Sequence, residues 1–542
     1  MALQAIADDI CYLVFKELDR RSDVSAFMRS SRSFYPIGVD HLLKMGVYIY
    51  TNKELVSFCQ LMKRHFIDMH SPASQLKELT ISVDWDDEED AMAVDDSVTY
   101  ESMQGSPGAS LLVPVLGCLT GLQRLTIEFC ETLLECDKQL VHAFAALNTL
   151  GELHVTGFGF LTYQVVAGHR SSLCKVYVDC GDEVTTQPIE DHNLQRSDLL
   201  DPLQMLRRHH STLQEVTIHV ASMTARPSKQ GPQTNNDVFA QVHTLALKRC
   251  HVVEREVIMN AFPNVKKLEL FWMEAIGAQE EPSVDMDEIR AINLAYPKQW
   301  APLDFVYADV DSLFTLGFKS RVGRLDVALW EFEDIDIEHL SVVIADVQPP
   351  RVVVQWGYWD AFRELSAEFS PERLGQLFAG VGERAISEIT HFGLDVGLKN
   401  LTEDPVQYTD AVAQLLMNLP HVRCFTFRLH VVAREYEDEY AHSTPEDRED
   451  DVVEVLAAGF GDEVLATLAV QIAVAAVSVT LLCFVVMSRR IYWRVTRGAA
   501  GSGSVTRVSE AEGERLLAAE GMLWHCPSKI WWPRSPENRG GN

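Results

Sequence analysis

Residues 76–81 read LKELTI, and this hexapeptide decides the fold because its frame recurs. The order apolar-x-x-apolar-x-apolar returns as LQRLTI at 122–127, LGELHV at 150–155, LCKVYV at 173–178, LQEVTI at 213–218, VHTLAL at 242–247 and VKKLEL at 265–270. Successive copies start 46, 28, 23, 40, 29 and 23 residues apart. The shorter intervals match a repeat of about 20–29 residues, built from one strand and one helical return; the longer ones read as units with insertions. Weaker copies are expected at Leu313, Leu316 and Phe318, at Ile337, Leu340 and Val342, and at Val422, Phe425 and Phe427. Alternation within each copy suits a strand with one buried face. The intervening stretches, such as 138–150 and 410–419, carry helical spacing.

A single strand-plus-helix unit cannot bury its apolar side alone. Neighbours must stack, which lines the strands up in a parallel sheet. The expected fold is therefore α/β: an irregular leucine-rich-repeat-like solenoid over residues 46–497, behind a small helical module at 1–45 and ahead of a flexible tail with a short helix at 498–542. Two acidic runs, 84–96 and 435–451, read as solvated insertions in the array. The tail also holds Trp524, Trp531 and Trp532.

The chain has 542 residues, 47% of them apolar, with 47 Lys+Arg against 78 Asp+Glu and a net charge of −31. That apolar fraction supports a large core and excludes global disorder. The acidity argues against nucleic acid as a partner, since a phosphate backbone rewards clustered Lys and Arg. Eleven Cys without a C-x-x-C pair make neither a disulfide scaffold nor a zinc knuckle, and they read as buried thiols in a reducing compartment. The first ten residues, MALQAIADDI, lack a basic n-region, so no secretory signal is expected.

Residues 464–487 form a 24-residue run without charge, long enough to span a bilayer. Two readings follow. One is a single transmembrane helix anchoring an acidic repeat scaffold. The other is a last core helix followed by a last buried strand, because SVTLLCFVVM at 478–487 is rich in β-branched and aromatic residues and repeats the string at Val479, Leu482 and Phe484. The core reading is the leading one.

No catalytic constellation is found. There is no Walker loop, no H-E-x-x-H and no G-x-S-x-G; the G-x-G at Gly157–Gly159 lacks a third glycine. Neither an enzyme, a cofactor nor a metal site is expected.

At the N-terminus, Ile6, Ile10, Val14 and Leu18 fall on one helical face with Phe15 beside it, and Ser22 or Asp23 can start a second helix carrying Val24, Phe27 and Met28. The register Ile6-Ala7-Asp8-Asp9-Ile10-Cys11-Tyr12-Leu13-Val14-Phe15-Lys16-Glu17-Leu18, followed by Asp23-Val24 and then Met28, Ser31, Arg32 and Phe34, resembles the F-box, with Ala7 where that family has proline and Asp9 at its acidic position. An F-box ahead of irregular leucine-rich strands is similar to the fungal class of F-box/leucine-rich-repeat proteins. The resemblance implies a substrate-recognition subunit of an SCF-type cullin–RING ubiquitin ligase, working in ubiquitin-dependent degradation in the cytoplasm, the nucleus or both. Ile6, Ala7, Ile10, Phe15, Leu18 and Val24 would then meet a Skp-type adaptor, and the repeats would hold a protein substrate that the sequence does not identify. A module of about 40 residues has too little core to hide all its apolar surface, which suits such docking.

Overall fold

The computed structural model describes residues 10–18, 20–66, 72–83, 107–180, 201–220, 238–250, 255–271, 285–329, 334–356, 371–398, 405–431, 459–487, 489–497 and 503–523. They fall into two compact units, 1–300 and 301–542. The acidic runs 84–96 and 435–451, the tail tryptophans, Ile6 and Ala7 lie outside the described residues.

The first unit opens with helical residues 10–16 and the helices Arg21–Ser30 and Phe34–Lys44. Its sheet follows as eight strands: β1 (Val47–Ile49), β2 (Glu78–Ile81), β3 (Arg124–Ile127), β4 (Glu152–Val155), β5 (Lys175–Asp179), β6 (Glu215–His219), β7 (Thr244–Lys248) and β8 (Lys267–Phe271). All are parallel and pair in chain order. Every clear copy of the hexapeptide is one of these strands, in a common register: Leu79, Leu125, Leu153, Val176, Val216, Leu245 and Leu268 face one another across the sheet. This row and the row of Ile81, Ile127, Val155, Val178, Ile218, Leu247 and Leu270 are buried.

The second position of the string locks each repeat to the next. The Lys77 carbonyl accepts from the amides of Gln123 and Arg124; Gln123 accepts from Gly151 and Glu152; Gly151 from Cys174 and Lys175; Cys174 from Gln214 and Glu215; Gln214 from His243 and Thr244; His243 from Lys266 and Lys267. A forked bond of this kind satisfies two amides with one carbonyl at the strand entrance, so each copy enters the sheet at the same height.

The second unit holds β9 (Phe305–Asp309), β10 (Leu325–Leu329), β11 (Arg351–Trp356), β12 (His391–Leu398), β13 (Cys424–Val431) and β14 (Leu481–Val486), all parallel. The chain then doubles back through β15 (Arg489–Arg497) and β16 (Gly503–Val508), both antiparallel, and ends in the helix Glu510–Ala519.

Two expectations change here, and one choice between readings is decided. Leu313–Phe318 and Ile337–Val342 are not strands: they fall on the helices Val310–Leu316 and Asp334–Val347. The strand copies nearby start instead at Leu303, Val322 and Ile389, all buried. The stretch 464–487 follows the leading core reading and is not a single span. It divides into the helix Asp462–Ala475 and β14, and among the described residues no helix is long and apolar enough to cross a membrane. The physical reason is that β-branched and aromatic residues after Ser478 pair with β13 and with β15, so backbone polarity is satisfied by a sheet. Finally, residues 503–523 are ordered strand and helix of the second unit and not part of a loose tail.

Candidate interaction surfaces

In the N-terminal module the predicted apolar residues separate. Phe15 and Val24 are buried. The Phe15 ring meets Phe27 edge-on at 5.1 Å, and Phe27 stacks on Phe34 at 4.7 Å. Gly38 makes this possible: a Cβ there would overlap Met28 and lie 3.1 Å from the Phe15 ring. Leu18 is half-buried, its carbonyl within 3.4 Å of His41 Nε2. Ile10 stays outside at 56% exposure, with Tyr12, Leu13, Val14 and Tyr35 also exposed. The helical period places Ile10, Leu13 and Val14 on one outward side. Of the residues expected to meet the adaptor, Ile10 is outward; Leu13 and Val14, which the i, i+3 and i, i+4 relations to Ile10 could have supplied, were not among them, and Phe15 and Val24, expected outward, are buried in the module's own core.

The second surface is one face of β2–β8, half-exposed over β3–β6 and buried at Ala246, Lys248 and Glu269 of β7 and β8. Its first row reads Glu78, Arg124, Glu152, Lys175, Glu215, Thr244 and Lys267 across paired strands. Acid and base alternate over its first five members, and ion pairs close between Arg124 and Glu78 and between Lys175 and Glu215 at 3.1 Å. The next row holds Thr80, Thr126, His154, Tyr177, Thr217, Ala246 and Glu269. The His154 and Tyr177 rings meet at 3.9 Å between centroids with their planes tilted by 37°. Beyond the string lies a third row, with Asp179, His219 and Lys248 in register. His219 Nδ1 is 2.9 Å from Asp179, and Lys248 Nζ is 3.9 Å from Glu269. Burial drops the His154 imidazole to about 4, and burial drops the Lys248 ammonium to about 8 against the pull of Glu269 and Asp179. Glu78, Arg124 and Lys267 belong to the first row of this face. Lys77, Gln123 and Lys266 precede the strands and take part in the forked bonds.

The Gly157–Gly159 pair is a packing device. The Glu131 carboxylate accepts from the amides of Leu161 and Thr162 and from Thr162 Oγ1, at 2.9, 2.8 and 2.8 Å, and so caps the helix Phe160–Gly168. A Cβ on Gly159 would sit 2.2 Å from that carboxyl group. The place a phosphate would take is filled by the chain's own acid.

The third surface is the equivalent face of the second unit, which is apolar and covered. Val353, Cys424, Leu481, Cys483, Val485 and Tyr492 form one buried cluster with Leu517 and Met522 from the C-terminal segment. Burial pushes the Cys483 thiol up to about 12. Above this cluster, in the register of Gln355, Asp395 and Arg428, lies a buried polar set: Tyr307 donates to Gln355 at 2.9 Å, and Asp395 faces Arg428 at 3.3 Å and His430 at 3.2 Å. Among the described residues no group of three or more His, Cys, Asp or Glu is placed to hold a metal ion.

No family model matches the chain. No curated protein matches it. Among solved structures it is similar to the leucine-rich repeat-containing protein LegL7 from Legionella pneumophila, at 12% identity and a TM-score of 0.33, over 72% of this chain and 96% of that one. The repeat architecture itself rests on the register and the forked bonds above.

Proposed function

We propose that the chain is a non-catalytic substrate receptor of an SCF-type ubiquitin ligase, acting in the cytoplasm, the nucleus or both. The N-terminal module docks on a Skp-type adaptor, and the half-exposed face of β3–β6 in the first unit holds a protein substrate. The observation that carries this reading is the outward set Ile10, Leu13 and Val14 on a module whose core is closed by Phe15, Val24 and Phe27. Side chains left exposed beside a satisfied core suit burial against a partner's helices. The alternating acid and base rungs supply register and specificity for a polypeptide more than raw affinity. The receptor works by holding substrate lysines near the transfer machinery on other subunits.

The test is a pull-down of the full chain on purified Skp-type adaptor, with Ile10→Asp/Leu13→Asp as the control. Both residues are exposed, so the variant keeps the wild-type melting temperature. Retention of the wild type and loss of the variant supports the proposal. Folded wild-type chain that the adaptor fails to retain contradicts it. Phe15→Asp is unsuitable, because it places a carboxylate inside the module.

A further inference from the structure

The open face of a solenoid sheet is ordinarily wet, as β3–β6 show here. The face of β11–β15 instead presents Val353, Cys424, Leu481, Cys483, Val485 and Tyr492, which need an apolar cover. The cover is narrow: of the ten residues in Glu510–Ala519 only Gly513 and Leu517 are buried, Met522 follows, and Val508 and Leu516 pack against the cluster partly buried. Basic groups flank the groove at both ends of this helix. Along β15, Arg490 pairs with Glu514 and Arg494 with Glu512 at 3.0 Å. At the far end Arg351 Nε donates to the Glu520 carbonyl at 2.8 Å, and Arg324 Nη1 donates to the carbonyls of Gly521 and Leu523 at 3.0 and 2.6 Å. His391 Nε2 lies 2.8 Å from the Glu520 carboxylate.

We infer that this face is a docking groove for an acidic amphipathic helix, and that residues 509–523 fill it in cis as a displaceable stand-in for such a helix on a partner protein. The groove states what it accepts. The helix must lack a side chain where Gly513 crosses Tyr492, since a Cβ there would lie 2.1 Å from the ring. It needs an apolar residue four places later and another nine places later, as Leu517 and Met522 provide. It needs acids toward Arg490 and Arg494, and it ends with its carbonyls on Arg324 and Arg351, where cations suit a helix C-terminus. The exposed ion pairs add little to the hold, because both partners of Arg490–Glu514 are nearly half-exposed. Tethering is what favours the chain's own segment, by keeping it at high effective concentration. A partner helix with equal contacts therefore enters only when the cis copy is weakened. The groove is independent of what the N-terminal module binds.

The experiment uses the full chain carrying Gly513→Leu, which dislodges the helix and leaves every groove residue intact. Two readouts are followed: alkylation of Cys424 and Cys483 by iodoacetamide, mapped by mass spectrometry, and binding of a fluorescent peptide of residues 509–523 by anisotropy. The expected result is alkylation at least about tenfold faster than in the wild type, peptide binding by the variant and none by the wild type, and loss of that binding on adding Arg490→Glu/Arg494→Glu. Slow alkylation in a folded variant would overturn the inference by showing the helix to be a fixed part of the core. Fast alkylation without peptide binding would overturn it equally, by showing a lid and no docking groove. If Gly513→Leu does not fold, Leu517→Ala, which removes an apolar contact of the helix and leaves the groove residues unchanged, takes its place. The readouts stay the same, and the same two results would overturn the proposal.

Discussion

β5 and β14 are both parallel strands of a repeat sheet, yet they are buried differently. Along Lys175–Asp179 burial alternates residue by residue, whereas along Leu481–Val486 every side chain is buried. The difference lies in what covers the second face. Lys175, Tyr177 and Asp179 of β5 form half-exposed polar rows, while Leu481, Cys483 and Val485 of β14 lie under Leu517 and Met522. Continuous hydrophobicity in a strand is thus evidence of two covered faces. That is why 478–487 mimics half of a membrane span in sequence and is a strand in the fold.

The comparison can be broken most forcefully at the cover. Leu517→Asp places a carboxylate against Val353, Cys483 and Tyr492, and we expect a loss of about 3–5 kcal/mol in the stability of the second unit, read by urea unfolding. A loss below about 1 kcal/mol would mean that the helix contributes little to the fold.

Next comes acid. In the first unit His169 is buried beside His209, at 6.2 Å between ring centroids, and burial lowers its imidazole to about 4. The folded value lies below the ordinary one, so the unfolded chain binds the proton first as pH falls. Stability from the neutral ring is complete above about pH 6.5 and is lost between there and pH 4, on the order of 3 kcal/mol. Urea titrations of wild type and His169→Gln across that window should show the slope reduced in the variant. Equal slopes would remove His169 from the account.

The smallest effect sharpens the other side. Lys175–Glu215 is a pair with both side chains about two-fifths exposed. A double-mutant cycle with Lys175→Ala and Glu215→Ala should return a coupling of about 0.2–1 kcal/mol, while the same substitutions weaken a partner that lies on this face. A coupling above about 2 kcal/mol would show that the rungs hold the fold together.

Most of the first unit was legible because each string carries its own strand and its own entrance bond. LKELTI and its six clear relatives are β2–β8 without exception. The second unit was legible only in part. Leu313, Leu316 and Phe318 satisfy the same spacing on a helix, and the decisive signals were at its ends. Asp309 accepts from the Ser312 amide at 2.7 Å as an N-cap, and Gly317 closes the helix at φ +57°. Leu303, Val322 and Ile389 were overlooked because β9, β10 and β12 are buried on both faces, which blurs the alternation the string relies on. In the N-terminal module the spacing named an apolar helix but could not say which side its neighbours cover. Phe15 turned inward because Phe27 and Gly38 leave it a place there.

The most direct measurement compares the two faces in one molecule. In a full chain carrying Thr126→Cys on β3, iodoacetamide labelling of position 126 is timed against that of native Cys483. Thr126 sits half-exposed on the open face and Cys483 is fully buried under the C-terminal helix. The account predicts that position 126 labels about a hundredfold faster. Comparable rates would contradict it, by showing that the two faces are equally open or equally closed.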